Sequence, residues 1–138
     1  METQYKEFES LVMASTLENI TLAESLVDLV CKELDVNADY YGNVLIAVTE
    51  AVNNAIKHGN NSDPTKQVKL QVFEGENTFE VVVSDEGKGF DFTTLPDPTA
   101  PENIEKEHGR GIFLMSSLSD EVAFENKGNT VRMKFSKS

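Results

Sequence analysis

LIAVTEAVNNAIKHGN, residues 45–60, reads as a helix with two unlike faces. At 100° per residue, Val44, Val48, Ala51, Val52 and Ala55 fall on one apolar stripe, as a helix facing a core requires. Glu50, Asn54 and His58 recur at four-residue steps on a different stripe, flanked by Asn53 and Lys57. A carboxylate, a carboxamide and an imidazole are therefore expected in line on one rigid element. Gly59, followed by Asn60 and Asn61, is a stop signal that is expected to end the helix. Such a stripe alone is also what a solvated helix face looks like, so its meaning depends on the rest of the chain.

Working outward, Asp39 is the expected N-cap of this helix, and Asp35 to Asn37 break an earlier one over Thr16–Leu34. In that earlier helix Ile20, Leu22, Leu26, Leu29, Val30 and Leu34 recur at three- and four-residue steps. Residues 4–15 alternate in part and predict an edge strand. Downstream, NNSDPT (60–65) is a turn, and Gln67–Glu74 and Thr78–Ser84 are strands joined by a hairpin at Gly75–Asn77. So short a link makes the pair antiparallel. The second strand runs directly into Asp85-Glu86-Gly87-Lys88-Gly89-Phe90. A loop then carries Pro96, Pro98 and Pro101, and its length suggests a lid over about 91–108. GRGIFLMSSL (109–118) predicts a helix with a glycine-rich start. Glu121–Glu125 and Thr130–Phe135 predict a last hairpin. The order implies an α+β, two-layer sandwich over residues 1–138, with a mostly antiparallel sheet and helices on one face.

The bulk composition narrows the function. A net charge of −12, from 24 acidic and 12 basic residues, argues against nucleic acid and against an anionic membrane surface as partners. A bound nucleotide would have to draw positive potential from Mg²⁺ and backbone amides. No apolar run approaches the length of a membrane span. METQYKEFES lacks the basic and apolar regions of a secretory signal, so a cytoplasmic location is expected. The single cysteine, Cys31, lies in the apolar run LVDLVCKEL and is expected to be a small core residue.

Three separated pieces now stand in a meaningful order: the Glu50/Asn54/His58 stripe, Asp85-x-Gly87-x-Gly89 at a strand end, and Gly109-Arg110-Gly111 at a helix start. In this order the chain resembles the GHKL ATPases, the class of gyrase-type topoisomerases, sensor histidine kinases and heat-shock chaperones. EAVNNAIKHG (50–59) is similar to their N box, DEGKGFD (85–91) to the first glycine box and HGRGIFLM (108–115) to the second. The short chain, the form of the N box and the closing GNTVRMKF (128–135) resemble one branch, the bacterial anti-sigma factor serine/threonine kinases. The likeness runs from about residue 15 to 136.

The resemblance implies the Bergerat-type fold, ATP and Mg²⁺ as ligands, and roles for particular residues. Asn54 would supply the side-chain oxygen that holds Mg²⁺ against the phosphates, an ion that needs few protein ligands. Glu50, one turn earlier, would be the catalytic acceptor of a hydroxyl or water proton. His58 would come near the phosphates or ribose, or serve as a packed or capping histidine. Asp85 would accept a hydrogen bond from the adenine amine, with Gly87 and Gly89 letting the backbone approach the base. Thr130 would support the adenine end, or simply start a strand. Gly109 and Gly111 would present backbone N–H groups to phosphate at a helix N-terminus. Arg110 would reach a phosphate or remain exposed.

The implied partners are a STAS-domain anti-sigma antagonist as phosphoacceptor and a sigma factor or other regulator, with a possible homodimer. The chain departs from the family where an arginine often precedes the second glycine box: Glu105-Lys106-Glu107-His108 stands there. That departure favours an alternative, a nucleotide-gated regulatory binding module without kinase activity. A detached histidine-kinase catalytic domain is a third reading. The short chain, without a dimerisation helix bearing a phospho-accepting histidine, counts against it.

Overall fold

Apolar residues on the inward face build the sheet. Val68, Leu70 and Val72 on β2 (Gln67–Glu74) are fully buried, as are Phe79, Val81 and Val83 on β3 (Thr78–Ser84). A computed structural model describes residues 5–87 and 107–138. In it the sheet has five strands in the order β1-β2-β3-β5-β4, where β1 is Lys6–Ala14, β4 is Glu121–Glu125 and β5 is Thr130–Ser136. All four pairings are antiparallel, which sharpens the expectation of a mostly antiparallel sheet. Residues 88–106, which include Gly89 and most of the expected lid, lie outside the described residues.

Helices cover one face. Helix α1 (Ile20–Glu33) brings Ala23, Leu26, Val27 and Val30 to the core, and α2 (Tyr41–Asn54) brings Val44, Ala47, Val48, Ala51 and Val52. From α3 (Glu107–Leu118) come Ile112 and Met115. These meet Val131, Met133 and Phe135 of β5 and the inward residues of β2 and β3. The Phe79 and Phe135 rings stack with centroids 5.4 Å apart. Burial of this continuous apolar layer is the main stabilising term of such a fold. Cys31 packs half-buried against it, and burial raises its thiol pKa, with Asp28 adding to the shift. No described helix is long and apolar enough to cross a membrane.

Local signals were read correctly in kind and misplaced in detail. A 3-10 turn, Leu17–Asn19, precedes α1 where a continuous helix was expected. Asp39 is not the cap of α2. Asn37 is the capping side chain instead, accepting the Asp39 N–H at 2.9 Å to start a 3-10 turn, Ala38–Tyr40, that leads into the helix. Helix α3 begins at Glu107, so the last two positions of the expected lid, and Gly109, belong to the helix.

The largest difference is at the end of α2. The helix does not run unchanged to Gly59 but widens into a π-turn over Ala55–Gly59, closed by the Asn60 N–H on the Ala55 carbonyl at 2.8 Å. Left-handed backbone comes only afterwards, at Asn61 and Ser62. Gly59 is therefore not a glycine cap. A Cβ there would stand 2.3 Å from the Asp85 carboxyl carbon, so close approach, not positive φ, requires glycine.

Candidate functional site

The exit of α2, the end of β3, the first turns of α3 and the β4–β5 hairpin converge on one cavity of about 230 Å³. Its lining divides by chemistry. Ala51, Val83, Ile112, Met115, Phe124 and Val131 give apolar walls suited to a flat ring. Asn54, His58, Gly59, Asp85, Gly128 and Asn129 supply the polar edge.

Helix α3, which lines the cavity with Ile112 and Met115, packs closely on α2 through its start. Gly111 sits directly over α2: a Cβ on it would stand 2.9 Å from Asn54 Nδ2, 3.2 Å from Asn54 Oδ1 and 3.3 Å from Glu50 Oε2. Glycine lets α3 approach this closely, and so brings the N box and the second glycine box into contact. Both polar atoms of the Asn54 side chain are buried without a hydrogen-bond partner among the described residues. A buried carboxamide left unsatisfied costs about 1–3 kcal/mol per group, so its position calls for a ligand. Among the described residues no group of three His, Cys, Asp or Glu side chains is placed to hold a metal. A lone carboxamide oxygen fits Mg²⁺, which takes one or two protein ligands beside substrate phosphates and water.

Where β3 meets β5, Ser84 pairs with Thr130, and the ladder continues as the Asp85 N–H donates to the Asn129 carbonyl at 2.9 Å. The Asp85 carboxylate turns back to accept the Gly87 N–H on Oδ1 at 2.7 Å, which leaves Oδ2 for another donor. Burial raises the Asp85 pKa above its ordinary value, and the Gly87 N–H and the Lys66 charge oppose the shift. Gly87 presses on the π-turn: a Cβ on it would meet the Gly59 carbonyl oxygen at 2.1 Å. Thr130 is buried, with its hydroxyl 3.4 Å from Ser84 Oγ and 3.2 Å from Asn129 Oδ1.

Of the residues singled out by sequence, the structure brings Asn54, His58 and Asp85 to the cavity, with Gly87 behind Asp85 and Gly111 beside Glu50 and Asn54. Glu50 is half-buried at the α2–α3 contact and does not line the cavity. Gly109 and Arg110 lie in the first turn of α3, with Arg110 exposed. Two residues that sequence reading passed over stand out. Asn129 lines the cavity, and its Nδ2 reaches the Gly87 carbonyl at 3.4 Å. Asn60 is fully buried and bonds to three other segments. In the sequence both look like ordinary turn asparagines.

Comparison with known proteins gives a consistent result. Residues 13–135 match the histidine kinase-like ATPase domain family. The serine-protein kinases RsbW of Staphylococcus aureus strains JH9 and Newman are each 30% identical to the chain over 138 residues, covering 93% of it and 86% of the relative. Among solved structures, the RsbU and RsbW domains of Rv1364c from Mycobacterium tuberculosis superpose with a TM-score of 0.62 at 14% identity. That likeness covers 94% of this chain but only 32% of the other, and it concerns the fold alone.

Proposed function

The chain belongs to the histidine kinase-like ATPase domain family and is a relative of serine-protein kinases, and from that premise we propose a specific activity for it. It transfers the γ-phosphoryl group of ATP to a serine or threonine of a STAS-type anti-sigma antagonist, and it binds a sigma factor or a related regulator. The observation that carries this reading is the orphaned, buried Asn54 carboxamide beside Glu50, in a largely apolar cavity that Asp85 also lines. A cavity with apolar walls, a carboxylate and an unsatisfied carboxamide supports a nucleotide as its ligand.

Asp85 Oδ2 takes the exocyclic amine of adenine, a donor that guanine lacks at that position. Thr130 and Asn129 support this end, and the apolar walls take the ring. The first turn of α3, with Gly109 and Arg110, offers backbone N–H groups and a guanidinium to the phosphates, while Gly111 inside the helix lets α3 close on Asn54. The Asn54 oxygen would hold Mg²⁺ together with those phosphates. The ion's contribution is to neutralise their charge. Glu50 accepts the proton of the acceptor hydroxyl as its oxygen attacks the γ-phosphorus and the bond to the β–γ bridging oxygen breaks, releasing ADP. His58 stands at the cavity rim, towards the ribose or phosphates.

The test is calorimetric titration with ATP, with and without Mg²⁺ and with GTP as control, followed by a phosphotransfer assay on a STAS-type acceptor. Selective, Mg²⁺-dependent binding of ATP is expected. Glu50→Ala is expected to leave the ATP dissociation constant within about threefold while transfer falls by about 10²–10⁴-fold. Tight ATP binding with no transfer to any acceptor would replace the kinase by the nucleotide-gated binding module.

A further inference from the structure

Asn60 connects more of the molecule than any catalytic candidate does. Its side chain has no exposed surface, and its hydrogen-bonding capacity is taken up by three other segments. Nδ2 donates to Ser15 Oγ at 2.6 Å, just past the end of β1, and to the Gln67 carbonyl at 2.9 Å, at the start of β2. Oδ1 accepts the Glu86 N–H at 2.8 Å. Its own backbone N–H closes the π-turn on Ala55, and its carbonyl accepts the Asp63 N–H at 3.0 Å. Only a carboxamide of this length donates twice and accepts once here. Aspartate lacks the amide donors, and glutamine is one methylene longer.

The Glu86 N–H is the central amide of the turn that aims the Asp85 carboxylate. Gly87 fixes that turn by donating to Asp85 Oδ1 and by resting on the Gly59 carbonyl, and Asn129 holds it from the β5 side. Asn60 ties the backbone of the turn to the scaffold of β1, β2 and the α2 exit, beside a second anchor in which the Glu86 carboxylate accepts the Gln67 N–H. We propose that Asn60 is a positioning residue that sets nucleotide base selectivity by locking the Asp85–Gly87 turn onto the π-turn. The proposal rests on the reading of Asp85 as the group that meets adenine. Asn60 itself does not touch the base. It acts through the direction in which Asp85 Oδ2 points.

The test separates the two ends of the side chain. Asn60→Ala removes the bond to Glu86, whereas Ser15→Ala removes one scaffold acceptor and leaves Oδ1 on Glu86. Both are expected to lower the melting temperature. Only Asn60→Ala is expected to reduce the preference for ATP over ITP, in which a carbonyl replaces the adenine amine, by about five- to tenfold. In the nucleotide-free chain, Asn60→Ala is also expected to speed amide exchange at Glu86 by about tenfold or more, with Ser15→Ala close to the unmodified chain.

An unchanged ATP-to-ITP ratio in folded Asn60→Ala overturns the proposal, and so does an equal loss in Ser15→Ala. If Asn60→Ala does not fold, Asn60→Asp, which keeps an oxygen for Glu86, must retain the ratio, and its loss there is equally fatal. Equal affinity of the unmodified chain for ATP and ITP overturns the base reading itself. That failure is recognisable because Glu86 exchange would still respond to Asn60→Ala.

Discussion

Asp85 carries two hydrogen-bonding duties with two oxygens, and this makes it sensitive to the smallest substitution. Oδ1 is committed to the Gly87 N–H, so Oδ2 remains for the proposed contact with adenine. In Asp85→Asn an NH₂ group must face one of two donors, the Gly87 amide or the adenine amine. Loss of a charge-assisted bond of about 1.5–3 kcal/mol is expected to weaken ATP by about ten- to a hundredfold, read by titration. The raised pKa adds a pH signature. In the proposed contact adenine meets the ionised carboxylate, so ATP affinity is expected to fall as pH drops through the raised value. Calorimetry in buffers of different ionisation enthalpy should show proton release on binding in that range, absent in Asp85→Asn. Without nucleotide the sign reverses. Folding raises this carboxyl's pKa, so its contribution to stability is full below the ordinary value and is lost as pH rises through the raised one. At this scale the sequence showed Asp85 and Asn54 through their spacing from glycines and from Glu50. It did not show Asn60 or Asn129, because an asparagine in a turn carries no mark of what its side chain meets across 26 or 42 residues.

Helices and strands were legible because period-2 and period-3.6 patterns act locally, and every strand and helix among the described residues was anticipated within a few positions. The π-turn was not, since its cause is tertiary: the Asp85 carboxylate occupies the space beside Gly59, and the buried Asn60 must reach β1 and β2. The start of α3 was misjudged for a related reason. Glycines at Gly109 and Gly111 suggested an entry to the helix, but Gly111 lies inside it because α2 passes beneath. Gly111→Ala weighs two effects. Alanine favours the helix by about 1 kcal/mol over glycine, and the new Cβ crowds Asn54 at 2.9 Å. Thermal stability is expected to stay within about 1 kcal/mol of the unmodified chain as these offset. The crowding falls on the Asn54–Glu50 pair, so Mg²⁺-dependent ATP binding and phosphotransfer are expected to drop by about tenfold or more. Differential scanning calorimetry and a transfer assay on one preparation separate the two. Gly87→Ala has no such compensation. Its Cβ would meet backbone oxygen at 2.1 Å, and both stability and nucleotide binding are expected to fall.

At the scale of the whole molecule, the antiparallel order β1-β2-β3-β5-β4 brings segments around residues 51–59, 83–85, 112–115 and 124–131 to one cavity. The sequence held each segment, and resemblance supplied their relation; their convergence depends on the pairing of β3 with β5, which no local pattern specifies. This site sits in a chain of net charge −12 and is proposed to take a polyanion. Local donors at the α3 N-terminus and a bound cation must then work against the field of the rest of the protein. The Debye length shortens from about 30 Å at 0.01 M to about 8 Å at 0.15 M salt, so distant acidic residues are screened before the donors in contact with phosphate. Without divalent cation, ATP binding is therefore expected to tighten, by about two- to fivefold, as sodium chloride rises over that range. With Mg²⁺ present the ligand carries less charge, and the dependence should flatten. Titration at matched pH across the salt series reads both slopes. Binding that weakens steeply with salt would mean that a local cationic cluster governs phosphate capture. Arg110 is the exposed cation at the start of α3 among the described residues, and Arg110→Ala would then be expected to remove the slope.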